Sequence, residues 1–333
     1  MNMVIKQNYP GIDVIKFIMA FAVVSIHAPE YLWPEARVYP EFFRWFIRLA
    51  VPFFFIVSGF LIQGKLDTMN GIEEQSTYLR KRSLHIFRIW CVWLLIYLPL
   101  TVWGDLHSNA PVSEIVRNYF ENVVFTGRSL YAQSLWFLYS MAIAFMIWSV
   151  VVHWLSKTGL LILFCLVLCG NILINLQPAN LALSKWGGDK HLLIIMLDGF
   201  IPMIAGAISR LYINSKRYQI FLISVSLAAS IILFYFGHSL FALLGGVAIF
   251  VISLIISEMI HIKLTSIRYL SMWIFYTHMY VIMAFMVVMR QLNLTGNRWS
   301  LLAMVCFASW FLALFLYRLS LLPQYSKLTF LIK

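Results

Sequence analysis

The chain has 333 residues, of which 62% are hydrophobic and 11% are charged. Because an ordinary soluble domain has about a quarter of its residues charged, this composition excludes a typical soluble protein and indicates one that is built for lipid. The 25 Lys and Arg residues outnumber the 13 Asp and Glu residues, but they lie mainly in the breaks between apolar runs. That placement is typical of membrane topology and not of nucleic-acid binding.

Apolar runs that are long enough to cross a bilayer follow one another along almost the whole chain. A membrane-spanning helix needs about 20 apolar residues. About ten such runs occur, near residues 12–31, 44–62, 86–103, 134–155, 158–176, 192–211, 219–236, 239–260, 269–289 and 299–320. We therefore predict an all-α polytopic membrane protein with about ten transmembrane helices, in a single membrane-embedded domain over residues 1–333.

The basic residues favour one orientation of these helices. One set of connections and ends is rich in them, with Lys6, Lys65, Arg80, Lys81, Arg82, Lys157, Arg210, Lys216, Arg217, Lys263, Arg268, Lys327 and Lys333. The opposite side has fewer, with Arg37, Arg44, Arg48, Arg117, Arg128, Lys185, Lys190, Arg290 and Arg298. Cytoplasmic loops of membrane proteins are enriched in Lys and Arg, which predicts that both termini are cytoplasmic. Two connections are longer than usual, an inner one near 64–83 and an outer one near 104–134.

Three ionisable residues, Asp13, Lys16 and His27, lie in the first apolar run. Such side chains are costly inside a bilayer and usually face a bundle interior, which makes them functional candidates. The eleven-residue step from Lys16 to His27 puts both on nearly one helix face, about 16 Å apart. Alternatively, Lys16 extends to the inner headgroups and His27 marks the outer interface. We expect this run to remain as a signal anchor, since no small-x-small cleavage site follows it.

A basic stretch opens the third apolar run, with Arg80, Lys81, Arg82, His85 and Arg88 in YLRKRSLHIFRIW. Ordinary positive-inside anchoring explains the first three residues. It explains Arg88 poorly, since that residue lies about two turns into the expected helix. Neighbours three residues apart share a face, so the stretch could instead present hydrogen-bond donors to a polyanion such as a nucleotide phosphate.

The remaining polar signals are weaker. His278 lies among aromatic and methionine residues in SMWIFYTHMYVI, where a lone histidine is usually a hydrogen-bonded packing group. The four cysteines lie inside apolar runs, without Cys-x-x-Cys pairs or histidines at metal spacing, so we predict no metal site. The sequence has no phosphate-binding loop and no serine nucleophile elbow.

Five segments, taken together and in order, resemble the acyltransferase 3 family of membrane proteins. The first has an Asp, a basic residue three positions later and a His eleven positions after that, matched by Asp13, Lys16 and His27. The second is VPFFFIVSGFLI, with Pro52, Ser58 and Gly59.

The other three segments are the basic entry YLRKR, then SLWFLYSMAI with Trp136, then SMWIFYTHMYVI with Ser271, Tyr276 and His278. Two departures occur. His85 stands where the family commonly has a second arginine or lysine, and either Phe275 or Tyr276 can be aligned with the family's tyrosine. The segments run from residue 13 to residue 278, which is most of the chain.

The resemblance implies an O-acyltransferase of the bacterial cytoplasmic membrane. It would move an acetyl group from cytoplasmic acetyl-CoA, a donor substrate and not a permanently bound cofactor, to a hydroxyl of an envelope glycan outside. The CoA phosphates would be bound by Arg82 and Arg88, helped by Arg80, Lys81 and His85. Lys16 would stand at the inner end of the polar route. His27 would be the general base on the acceptor hydroxyl or would carry the acyl group transiently. The substrate path or its structural support would include Asp13, Ser58, Trp136, Tyr276 and His278.

Two other classes of function fit parts of the same pattern. A transporter or flippase of a polar envelope metabolite also needs charges inside the bundle, although paired repeats and membrane-embedded acids are scarce here. A receptor or accessory subunit without catalysis would leave Lys16 and His27 unexplained. The acceptor, the acyl chain and the oligomeric state stay open at this point.

Overall fold

The structure is a computed structural model that describes residues 8–33, 39–106, 111–129, 131–154, 156–176, 191–213, 215–292 and 297–332. Over these ranges the chain forms twelve α-helices and no strands. The helices are α1 (Pro10–Leu32), α2 (Glu41–Arg48), α3 (Ala50–Leu66), α4 (Ile72–Leu106), α5 (Val112–Thr126), α6 (Trp136–Val151), α7 (Lys157–Leu176), α8 (His191–Tyr212), α9 (Lys216–Tyr235), α10 (Phe241–Met259), α11 (Thr265–Gln291) and α12 (Arg298–Ser320). Two 3-10 helices, Gln133–Leu135 and Pro323–Leu331, complete the described elements.

The prediction of an all-α polytopic membrane protein is confirmed. In the part of the chain that the structure describes, eight helical segments are long and apolar enough to cross a bilayer. These segments lie on α1, α2 with α3, α4, α6, α9, α10, α11 and α12. The other two predicted spans fall on α7 and α8, so the total number of spans and the location of the termini stay predictions. Of the basic residues used for the topology, Lys6, Arg37, Lys185, Lys190 and Lys333 lie outside the described residues.

Both long connections contain more helix than the sequence analysis allowed. Since α3 ends at Leu66 and α4 begins at Ile72, the predicted inner loop near 64–83 is mostly helical. The first turns of α4 are rich in Glu, Gln, Arg, Lys and Leu, which favour helix but do not register as apolar. The predicted outer loop likewise contains α5, whose C-cap residue Gly127 is in the left-handed region, as is common at the ends of helices.

The described chain divides into two compact units, one of Met1–Phe54 with Ser215–Lys333 and one of Phe55–Asn214. In the first unit α1 packs against α2, α10, α11 and α12. Gly11 permits a close approach of α1 to α10, since a Cβ there would collide with the Ser253 carbonyl. The Gly11 N–H donates to Ser257 Oγ at 3.0 Å, which fixes the start of α1 on α10.

In the second unit serine hydroxyls join α4 to α6. Ser76 Oγ donates to the Ser149 carbonyl and Ser83 Oγ to the Ala142 carbonyl, each at 2.7 Å. Such interhelical bonds from small polar residues are typical of membrane bundles. Close backbone packing joins α3 to α8, because a Cβ on Gly59 would collide with the carbonyl of Met203. The glycine of the SGF segment is therefore explained by helix packing.

Candidate active site

An ion pair fixes the N-terminal end of α1 to α11. The Asp13 carboxylate accepts two hydrogen bonds from Arg268, from Nε at 2.8 Å and from Nη2 at 2.7 Å. The side chain of Asp13 is only 3% exposed, whereas that of Arg268 is 43% exposed. This two-point contact sets both the rotation and the height of α1 against α11. Arg268 was interpreted from the sequence only as a topology signal, so its role as the partner of Asp13 was missed.

His27 and His278 meet at the other end of the same helix pair. Their ring centroids are 5.5 Å apart and their planes are 29° from parallel. The side chain of His27 is 12% exposed, and His278 is fully buried at 0%. Two predicted site residues that are 251 positions apart in the chain are thus brought together by the packing of α1 on α11.

The hydrogen bonds of His278 fix which of its nitrogens carries a proton. Its Nδ1 lies 2.7 Å from the Phe275 carbonyl and 3.2 Å from the Ile274 carbonyl. A carbonyl oxygen only accepts, so Nδ1 must be the N–H donor. The neutral ring then has its lone pair on Nε2, which is buried and has no hydrogen-bond partner among the described residues.

A carboxylate stands beside His27. Glu30 Oε2 lies 3.7 Å from His27 Nδ1, which is too long for a hydrogen bond but close enough for a favourable charge contact. Nδ1 itself is buried and has no hydrogen-bond partner in the described part of the chain. Glu30 was not among the site residues predicted from the sequence. Its position three residues after His27 places it on the same helix face, and that spacing is the signal that was overlooked.

Lys16 and Tyr276 complete the predicted residues of the first unit. Lys16 lies on α1, is partly buried, and is about 16 Å before His27 along the helix axis. Tyr276 is buried on α11 at 7% exposure. Its neighbour Phe275 is the residue whose ring faces His278, with centroids 6.2 Å apart. Of the two residues that can be aligned with the family's tyrosine, Tyr276 is therefore buried and Phe275 lies beside His278.

Tyr39 is a further buried polar residue of the first unit, in the connection between α1 and α2. Its ring contacts those of Phe43 and Trp299, with centroids 4.9 Å and 5.5 Å away. Burial, with a smaller contribution from Cys306, raises the pKa of the Tyr39 phenol. The phenol therefore stays neutral in the physiological range, and Tyr39 provides packing and not charge.

The predicted donor-binding residues belong to the second unit and lie on α4. Arg80, Lys81, Arg82 and Arg88 are exposed, and His85 is half-buried. The 35 residues of α4 make a rod of about 52 Å, well beyond the 30 Å or so of a bilayer core. The basic residues lie in its first half, where the helix precedes the apolar stretch 89–103. Arg88 is therefore exposed just before the apolar stretch and does not lie buried between helices.

Two other predicted residues belong to the second unit. Ser58 is half-buried on α3, one residue before the close-packed Gly59. Trp136 begins α6, and the guanidinium of Arg128 lies 5.6 Å from its ring centroid, a cation–π contact. Arg128 was interpreted from the sequence only as a loop charge. In the described ranges no group of three or more His, Cys, Asp or Glu residues could hold a metal ion.

Comparisons with known proteins agree with this organisation. A family model described as an acyltransferase domain, acyltransferase 3, matches residues 9–318. An amino-acid racemase of Enterococcus faecalis is 32% identical over 134 residues, which cover 40% of this chain and 17% of the racemase. A serine/alanine racemase of Enterococcus gallinarum is 29% identical over 113 residues, 32% of this chain and 15% of the racemase.

Each racemase match thus spans less than a fifth of the relative's length. No solved structure matches the chain. The family model, in contrast, covers nearly every residue, including both units and all the predicted site residues. The chain therefore belongs to the acyltransferase 3 family of membrane acyltransferases.

Proposed function

We propose that the protein O-acetylates a hydroxyl of an extracytoplasmic envelope glycan, with acetyl-CoA from the cytoplasm as donor, in the bacterial cytoplasmic membrane. The observation that carries the proposal is the buried imidazole pair of His27 and His278 in a helix bundle of the acyltransferase 3 family. Imidazole is the side chain best suited to move a proton near neutral pH. Two imidazoles in contact inside an apolar bundle are hard to explain by packing alone.

His27 is the base in this proposal. The neighbouring Glu30 carboxylate, 3.7 Å from Nδ1 of His27, favours an N–H on that nitrogen by its negative charge. The lone pair of Nε2 then accepts the proton of the acceptor hydroxyl as its oxygen attacks the thioester carbonyl. When the C–S bond breaks, the CoA thiolate leaves and takes that proton from the imidazolium. A variant in which His27 first accepts the acyl group and then gives it to the hydroxyl balances equally well.

The Asp13–Arg268 pair has a positioning role. It fixes α1 on α11 about 21 Å along the helix axis from His27. Because α1 is a rigid element, an anchor at one end limits the rotation of the histidine at the other end. Reacting groups must be held within about 0.5 Å of the productive geometry.

The exposed basic residues of α4 are the proposed donor site. Acetyl-CoA is a polyanion, and Arg82 and Arg88 can form charge-assisted hydrogen bonds to its phosphates. Arg80, Lys81 and His85 add favourable charge or donors along the same helix. Lys16, on α1, would hold the inner end of the polar route.

The proposal is tested on cells with and without the gene and on purified protein in lipid nanodiscs. We expect mass spectrometry of the envelope glycans to show the added mass of one acetyl group only where the gene is present. Purified protein should move a labelled acetyl group from acetyl-CoA onto glycan that was extracted from cells lacking the gene. An unchanged glycan together with no transfer in vitro would contradict the proposal. Transport of a glycan precursor without acetyl transfer would favour the flippase alternative.

A further inference from the structure

The Nε2 atom of His278 is a hydrogen-bond acceptor without a donor. Nδ1 of the same ring is committed as the donor to the Phe275 carbonyl at 2.7 Å, so the neutral ring can only accept at Nε2. His278 is 0% exposed, and Nε2 has no hydrogen-bond partner in the ranges that the structure describes. Buried polar atoms are nearly always satisfied, so an isolated acceptor of this kind points to a bound group.

The neighbouring histidine does not supply that donor. The lone pair of an imidazole nitrogen lies in the plane of its ring, and the rings of His27 and His278 are only 29° from parallel. Rings that stack in this way do not direct an in-plane N–H of one at the in-plane lone pair of the other. Nδ1 of His27 has no hydrogen bond among the described residues either, and its neighbour is the Glu30 carboxylate at 3.7 Å. The donor to Nε2 of His278 must therefore come from a third group.

We infer that Nε2 of His278 accepts a hydrogen bond from a second hydroxyl of the acceptor molecule, beside the hydroxyl that His27 deprotonates. This inference rests on the proposed function. A single hydroxyl has one proton, which it can give to only one acceptor at a time. If His27 takes that proton, the Nε2 lone pair requires another O–H. The acceptor is therefore a compound with at least two neighbouring hydroxyl groups, such as a sugar diol, and not a simple alcohol.

Two amide substitutions separate this role from a structural one. His278→Asn keeps an amide N–H near the position of Nδ1, where it can donate to the Phe275 carbonyl, but has nothing near Nε2. His278→Gln places its amide near Nε2 and loses the Nδ1 contact. His261→Asn is the matched control, because His261 is exposed in the connection between α10 and α11.

The measurement is acetyl transfer by the full-length protein in nanodiscs, with acetyl-CoA and with glycan from cells lacking the gene as probes. We expect His278→Asn to raise the KM for the glycan roughly five- to a hundredfold, because a buried hydroxyl loses its acceptor. The kcat and the KM for acetyl-CoA should change by less than about twofold, the pattern of a lost binding contact. His278→Gln should recover part of the KM, and His261→Asn should behave as wild type.

The opposite order of the two glycan KM values overturns the inference. A normal glycan KM in His278→Asn with a defect in His278→Gln would reduce His278 to a helix-packing group. Normal values in both would mean that an ordered water satisfies Nε2. Thermal stability of each variant is measured alongside, so that misfolding is recognised.

If both variants misfold, the inference is tested on the wild-type protein by NMR. With its 8 histidines labelled with ¹⁵N, the Nε2 resonance of His278 should shift when the glycan is added without acetyl-CoA. An unchanged resonance would overturn the inference. A shift in a protein that transfers no acetyl group would contradict the proposed function and leave the diol contact standing.

Discussion

The two compact units differ in how far their polar residues are buried and paired. In the first unit the buried Asp13 and His278 pair across the helix interface with the partly buried Arg268 and His27, respectively. In the second unit the basic residues of α4 are mostly exposed on one long helix. A buried polar group needs a partner or a function that offsets the free-energy cost of its desolvation. An exposed arginine needs neither, so its function has to be shown by binding.

The largest expected effect tests the buried region directly. His27→Ala should lower kcat for acetyl transfer a hundred- to ten-thousandfold, roughly what loss of a general base costs, while the protein stays folded and binds acetyl-CoA. Transfer kinetics and donor binding in nanodiscs measure both. Near-normal turnover in His27→Ala would show that His27 is not the general base. The transporter alternative would then be favoured. Trapping of an acylated wild-type protein would favour the covalent route.

The next effect concerns stability. Arg268→Ala should destabilise the protein by about 3 kcal/mol, the low end for breaking a buried pair, since Arg268 is partly exposed. Lys216→Ala is the matched control, because the Lys216–Glu258 pair at 3.1 Å is exposed on both sides and should contribute less than about 1 kcal/mol. Thermal unfolding in detergent checks both variants. Equal losses would mean that the Asp13 contact is no stronger than a surface ion pair.

The exposed region should respond more weakly. Arg88→Ala should reduce acetyl-CoA affinity about ten- to a hundredfold, the value of one charge-assisted contact. Lys157→Ala, at the start of α7, should have little effect, because ordinary membrane topology explains that residue. Equilibrium binding of acetyl-CoA gives both numbers. If the two changes are alike and small, the α4 cluster is an anchor and not a donor site.

The last test measures no activity and reports only the side of the membrane on which the exposed residues lie. Single cysteines at Thr77 on α4 and Ser113 on α5, both exposed, report the side on which each helix lies. The native exposed Cys165 and Cys169 are replaced first. An impermeant thiol reagent added outside intact cells should label the Ser113 position and spare the Thr77 position. The reverse pattern would place the basic residues outside, away from cytoplasmic acetyl-CoA.

Most of the helices were predictable because the thickness of the bilayer core sets their length and because their composition is apolar. The start of α4 was not, because its polar residues favour helix without being apolar, as in the stretch from Ile72 to Ser83. The extra helix α5 was missed for a related reason, since its alternation of apolar and charged residues resembles a loop when only long apolar runs are sought.

Within the site, the chemistry-bearing residues could be selected, but their partners could not. Helical spacing relates Lys16 to His27 and would also have related Glu30 to His27. No local rule relates Asp13 to Arg268, or His27 to His278, since those pairs depend on how α1 packs on α11. The resemblance to a family placed the first and the last of its five segments in one fold, but it did not place His27 and His278 in contact.

The length of α4 has a consequence for the membrane in which the protein works. Its apolar stretch 89–103 has 15 residues, or about 22 Å of helix, which is shorter than a hydrocarbon core of about 30 Å. Arg88 lies just before that stretch. A thicker bilayer would draw the Arg88 guanidinium toward hydrocarbon, and a thinner one would release it further into water. One helical turn is about 5.4 Å, and natural membranes differ in thickness by a comparable amount. Capture of the acyl donor should therefore vary with lipid chain length, even though no residue of the protein changes.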